Sequence, residues 1–161
     1  MGRKVDGVWT DVTATEFLAE VRGAAKGLIA AGVGVGDRVA LLSRTRYEWV
    51  LLDFAIWSAG AVTVPVYETS SPEQIQWILG DSGASLALVE SAAHQAAVES
   101  VRDGLPELKG LHQIEDGAIE RLTAAGAEVS DETLDARMSA ANADDPATIV
   151  YTSGTTGRHK V

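Results

Sequence analysis

The chain has 161 residues, 46% hydrophobic and 22% charged, enough for one domain with a core of its own and outside the composition of disordered or fibrous chains. With 13 basic against 23 acidic residues the formal charge is −10, a surface that repels nucleic acid and anionic lipid yet leaves room for a local cluster of phosphate donors. No apolar run is long enough to span a membrane, the opening MGRKVDGVWTDV lacks the apolar stretch of a secretory signal, and cysteine is absent. These features predict a cytoplasmic, or at most membrane-peripheral, address.

In chain order, Thr13-Ala14-Thr15-Glu16 is a capping box, and Phe17, Val21, Ala24 and Leu28 follow at helical spacing until Gly32 or Gly34. Arg38–Leu42 is a short apolar run that predicts a buried strand. Tyr47–Ala59 predicts a helix with apolar residues around most of its circumference, which implies burial between layers. Ala61–Val66 predicts a second strand; Pro65 cannot donate to a ladder, so it belongs at a strand end or edge. Ser71-Pro72-Glu73-Gln74 is a second capping box with proline in the first turn.

Further on, Leu86–Val89 predicts a third strand, 91–103 a helix, and 111–114 a weak fourth strand. Residues 116–143 are Ala- and Glu-rich and predict one or two short surface helices. Asp144-Asp145-Pro146 is a breaker, and Ala147–Tyr151 is a β-branched run that feeds a Gly/Thr loop. Strand and helix in repeated alternation predict an α/β fold: a largely parallel sheet with flanking helices. Trp49, Trp57 and Trp77 sit among apolar residues and read as core.

The string Thr152-Ser153-Gly154-Thr155-Thr156-Gly157-Arg158-His159-Lys160 gathers the chemistry of an anion site. Gly154 and Gly157 allow backbone angles that turn successive N–H groups to one side, the hydroxyls add donors, and Lys160 supplies a mobile positive charge. A loop leaving the end of a parallel strand is also where such sheets place ligands. It is not a Walker A loop: counted from Gly154, His159 stands where glycine is required and Val161 where Ser or Thr is required. Asp144 and Asp145 read as a solvated turn and not a metal pair, and His94 and His112 have no companion ligands at useful spacing.

The string YTSGTTGRHK resembles the signature loop of the adenylate-forming (AMP-binding) superfamily, whose usual form continues Gly-x-Pro-Lys-Gly. Gly32–Leu42, with Gly36-Asp37-Arg38-Val39-Ala40 inside it, Gly60–Tyr67 and Ile78–Ser82 resemble further segments of the same family in the same order. Arg46-Tyr47-Glu48-Trp49 and Tyr67–Ser71 are most similar to long-chain fatty acyl-CoA synthetases.

The resemblance implies the N-terminal portion of the large domain of such an enzyme, with 1–161 ending at the phosphate loop and the C-terminal domain absent. It implies ATP as substrate, with Mg2+, a fatty acid and coenzyme A serving the whole enzyme. Thr152, Ser153, Gly154, Thr155, Thr156, Gly157 and Lys160 would bind the β- and γ-phosphates, with no catalytic proton transfer and no metal ligand assigned to this chain. His159 in place of proline restores an N–H and loosens the loop. The chain alone is expected to be inactive and to self-associate through apolar surface. The alternative is a non-enzymatic remnant that keeps the fold and binds a nucleotide or partner.

Overall fold

Two reciprocal capping boxes fix where helices begin. Thr13 Oγ1 accepts from the Glu16 N–H at 3.2 Å while the Glu16 carboxylate accepts from the Thr13 N–H at 2.8 Å, opening α1 (Ala14–Ala30). Ser71 and Gln74 repeat the arrangement at 3.3 and 2.9 Å, with Pro72 in the first turn, opening α3 (Pro72–Ser82). The computed structural model describes residues 1–5 and 7–152 of the chain. The remaining elements are β1 (Gly2–Val5), β2 (Val8–Asp11), β3 (Arg38–Leu42), α2 (Tyr47–Ser58), β4 (Val62–Val66), β5 (Leu86–Val89), α4 (Ala92–Glu99), β6 (Gly110–Gln113), α5 (Ala118–Ala125) and α6 (Asp131–Ala140).

Among the described residues, β4, β3, β5 and β6 lie side by side in that order as a parallel sheet. The chain enters the sheet at β3, steps out to β4, then crosses back over β3 to β5 and β6. Side chains therefore alternate between two cores. Val39, Leu41, Leu86 and Leu88 join α1, α2, α5 and α6 on one face; Ala40, Leu42, Ala87 and Val89 join α3 and α4 on the other. Arg38 ties the sheet's start to the end of α3, donating to the carbonyls of Ser82 at 2.7 Å and Gly83 at 2.8 Å. Arg137 of α6 does the same for α2, donating to Ala59 and Val33 carbonyls at 3.0 and 2.7 Å. The predicted α/β class with flanking helices is the observed one.

Several details differ from the sequence reading. β1 and β2 form an antiparallel hairpin, signalled by the Asp6-Gly7 dipeptide, with Gly7 at φ +84°. The helix expected over 91–103 stops at Glu99 and gives way to a short 3-10 turn at 102–104. α5 and α6 are more than surface helices: Ala118, Leu122 and Leu134 are buried in the core. The seating of α5 depends on glycine. A Cβ on Gly27 would lie 2.2 Å from the Leu122 carbonyl oxygen, and one on Gly126 would lie 2.4 Å from the Gly27 nitrogen, so α1 and the end of α5 meet backbone to backbone.

α2 is also less enclosed than its composition implied. No described layer covers its outer side, where Phe54 is 45% exposed and stands edge-on to Phe17 and Trp57. Of the tryptophans read as core, Trp49 packs against it half-buried, while Trp77 is 38% exposed. Trp57 spends its indole N–H on the Ala147 carbonyl at 2.8 Å.

Candidate functional site

The predicted strand at 147–151 is present as a short parallel addition outside β4. The Thr63 N–H donates to the Ala147 carbonyl at 3.1 Å, and the Ile149 N–H donates to the Thr63 carbonyl at 2.9 Å, bracketing a Thr63–Thr148 bridge. Two residues later Tyr151 is buried, and its hydroxyl donates to Asp81 Oδ2 on α3 at 2.7 Å. Burial, reinforced by that carboxylate, pushes the Tyr151 hydroxyl far above its ordinary pKa, so it stays a donor throughout the working pH range. Thr152 follows, exposed, at the C-terminal edge of the sheet. Of the residues predicted to bind phosphate, Thr152 is thus at the edge where α/β sheets carry ligands. Ser153, Gly154, Thr155, Thr156, Gly157 and Lys160, with His159, lie outside the described residues.

A cavity of about 340 Å3 opens beside this exit, between the ends of β3 and β4 and the 150–151 segment. Ser43, Thr45, Tyr67 and Glu68 give it polar groups, while Trp49, Pro65 and Val150 give it apolar wall. The neighbouring gap, between the ends of β3 and β5, is the point where the strand order reverses and where open sheets usually leave a crevice. Here it is filled. Glu90, buried at the end of β5, accepts from the Arg44 N–H at 2.9 Å and the Ser43 hydroxyl at 3.1 Å. It also pairs with Arg44 Nε at 2.9 Å, and Arg46 Nη1 stands at 3.5 Å. Burial alone would raise the Glu90 pKa, but the Arg44 N–H, the Ser43 hydroxyl and the two guanidiniums outweigh it and hold the carboxyl below its usual range. Sequence reading missed this lock, because a lone Glu after a strand carries no local signature.

Other polar candidates resolve into structural roles. Asp145 accepts from the Asn142 N–H at 2.8 Å in the turn expected there. His94 bridges Ser91 Oγ and the Glu68 carbonyl, each at 3.0 Å, fastening the loop after β4 to the start of α4. His112 is half-buried, and desolvation, aided by nearby Arg121, lowers its pKa. Among the described residues no group of three or more His, Cys, Asp or Glu side chains is arranged to hold a metal ion, so Mg2+ is assigned no ligands here. No described helix is long and apolar enough to cross a membrane. A second cavity, about 270 Å3, lies at the opposite end of the sheet against Trp57, Val35 and the alanines at 140 and 141.

The model of the AMP-binding enzyme family matches residues 3–161. The chain belongs to the AMP-binding enzyme family. It is 52% identical, over 98% of its length, to long-chain-fatty-acid–CoA ligases of Mycobacterium tuberculosis and Mycobacterium bovis, and spans 27% of each. Among solved structures it resembles the inhibitor-bound N-terminal domain of FACL13 from Mycobacterium tuberculosis, with a TM-score of 0.69 and 26% identity over 99% of this chain and 39% of that one. A long-chain-fatty-acid–CoA ligase from Archaeoglobus fulgidus shares the fold, with a TM-score of 0.74 and 20% identity over 96% of this chain and 31% of that one. The family assigned from the loop and its companion segments is therefore the family found.

Proposed function

We propose that this AMP-binding-family chain supplies the triphosphate-binding part of an ATP-dependent long-chain fatty acid–CoA ligase. Residues 1–161 then form the N-terminal part of its AMP-binding domain, up to the phosphate loop. The observation that carries the reading is the 52% identity to long-chain ligases across nearly the whole chain, signature loop included. In the reaction, a carboxylate oxygen of the fatty acid attacks the α-phosphorus and the bond to the departing pyrophosphate breaks, giving an acyl-adenylate. The coenzyme A sulfur then attacks the acyl carbon and AMP leaves.

The loop's part is electrostatic. The N–H groups around Gly154 and Gly157, the hydroxyls of Thr152, Ser153, Thr155 and Thr156, and the Lys160 ammonium would hold the β- and γ-phosphates. They would also stabilise the charge that pyrophosphate gains as it leaves. No described residue is asked to move a proton. Mg2+ would supply further charge neutralisation on the phosphates when bound.

The test compares nucleotides by titration calorimetry on the 161-residue chain. ATP and inorganic tripolyphosphate should bind more tightly than AMP, and Lys160→Ala should remove the difference. Equal affinity for ATP and AMP, unchanged by Lys160→Ala, refutes the assignment. Because these residues cover only the phosphate end of the reaction, ATP–pyrophosphate exchange with a fatty acid should stay at background.

A further inference from the structure

The sheet's outer ladder stops where it should continue. In a parallel pair, after Thr63 N–H to Ala147 O and Ile149 N–H to Thr63 O, the next rung requires an N–H from residue 65 to the Ile149 carbonyl. Residue 65 is proline and has no N–H. Thr63, two residues earlier, turns both its N–H and its C=O outward, so the Pro65 nitrogen also faces outward, toward the added segment. Beyond Ile149 the chain is held instead by α3, through the Tyr151 hydroxyl on Asp81 at 2.7 Å. Tyr151 is 3% exposed and packs with the α3–α4 core, whereas Val150 before it is 49% exposed. Between Pro65 and this departing stretch lies the cavity of about 340 Å3.

We propose that Pro65, Tyr151 and Asp81 are positioning residues for the phosphate loop: the proline ends the β4 pairing at Ile149, and the Tyr151–Asp81 hydrogen bond redirects the chain toward α3, which fixes the direction in which Thr152 leaves the sheet. This rests on the phosphate-binding reading of the loop. A charge-assisted hydrogen bond from a buried tyrosine is strong and directional, suited to fixing one exit angle. A residue with a donor at position 65 would let the segment zip further along β4 and close the cavity. The ladder and the latch thus oppose each other, and proline decides between them.

The experiment measures three quantities on the 161-residue chain and its variants: ATP affinity by calorimetry, the thermal midpoint, and amide exchange at Ile149, Tyr151 and Thr152 by NMR. Tyr151→Phe and Asp81→Asn should each weaken ATP binding by roughly 5- to 10-fold, the size expected for one ordinary hydrogen bond. The double variant should be no worse than either alone, and both singles should speed exchange at 151 and 152 while leaving β3 and β5 unchanged. Pro65→Val should slow exchange at Tyr151 and keep or raise the midpoint, yet still weaken ATP binding. A merely structural role cannot give that opposition. ATP affinity at the wild-type level in all three, or loss of binding in Pro65→Val only alongside a lower midpoint, overturns the proposal. If the unaltered chain shows no preference for ATP over AMP, the phosphate reading fails. The exchange pattern then still decides the latch, because unchanged exchange at 151 and 152 in Tyr151→Phe removes it.

Discussion

The two gaps that flank β3 at the C-terminal edge of the sheet have the same backbone setting and opposite contents. Between β3 and β5, where strand order reverses, Glu90 gathers the Ser43 hydroxyl, the Arg44 N–H and two guanidiniums into one ion-paired cluster. Between β3 and β4 the walls are hydroxyls, aromatic rings and a proline, and about 340 Å3 stays open next to the exit of the 147–152 segment. Topology alone nominates the first gap for a ligand. Charged side chains pair across the first, while the second keeps an open cavity.

Glu90→Ala attacks the closed gap and should have the largest effect. It strands the Arg44 N–H and leaves Arg46 with fewer acidic partners, at a cost of about 2–4 kcal/mol, reduced from a fully buried pair because Arg44 is largely exposed. For a chain of this length that lowers the thermal midpoint by roughly 5–12 °C, measurable by circular dichroism. No loss would show that the gap is closed by packing alone.

The same lock sets an acid limit. The Glu90 carboxyl is held below its ordinary 4.5, so its stabilisation is full above that value and disappears as pH falls through the lower folded-state value. Denaturant midpoints of the parent chain should decline steeply below about pH 4.5, and Glu90→Ala should flatten that decline. Parallel curves for the two proteins would assign the acid sensitivity to other carboxylates.

Asp53 of α2, near Thr63 of β4, is the reverse case. Burial raises its pKa from 3.8, the nearby Thr63 hydroxyl offsets only part of this, and neither Asp53 Oδ1 nor Thr63 Oγ1 has a hydrogen-bond partner among the described residues. A raised folded-state value means that the charged form costs stability once pH climbs past 3.8. Asp53→Asn should therefore raise stability by about 1 kcal/mol at pH 7 and change little below pH 3, as read from urea midpoints at both pH values. A loss at pH 7 would mean that the carboxylate has a stabilising partner.

Arg44→Ala should matter least, within about 1 kcal/mol, because its side chain is 63% exposed and its N–H, which Glu90 uses, remains. A larger loss would move the weight of the lock from the backbone donor to the guanidinium.

Much of the fold was legible because its signals are local. Both capping boxes, the strands at 38–42, 62–66 and 86–89, and the turn at Asp145 stand where their residues predict, since each depends on neighbours a few positions away. Pro65 stands at an edge position, as expected, because the pairing outside β4 reaches Thr63 and goes no further. What escaped depends on distant partners. α5 and α6 read as surface helices because alanine gives little periodicity, and the close seating of α5 on α1 requires Gly27 and Gly126 to let two backbones meet. Trp77 reads as core from its apolar neighbours and α2 as enclosed from its composition, yet Trp77 is 38% exposed and Phe54 of α2 is 45% exposed.

The family is legible in the chain alone, because a nine-residue string of glycines, hydroxyls and a lysine after a strand, with companion segments in order, belongs to few chemistries. The tertiary structure alone decided how that string is approached. Asp81 and Tyr151 are 70 residues apart, and Glu90 reaches Ser43 across 47, so no window of sequence shows either contact. Hydrogen bonds and packing between strands, not propensity along the chain, choose which gap is closed, where the ladder ends and at what edge Thr152 emerges.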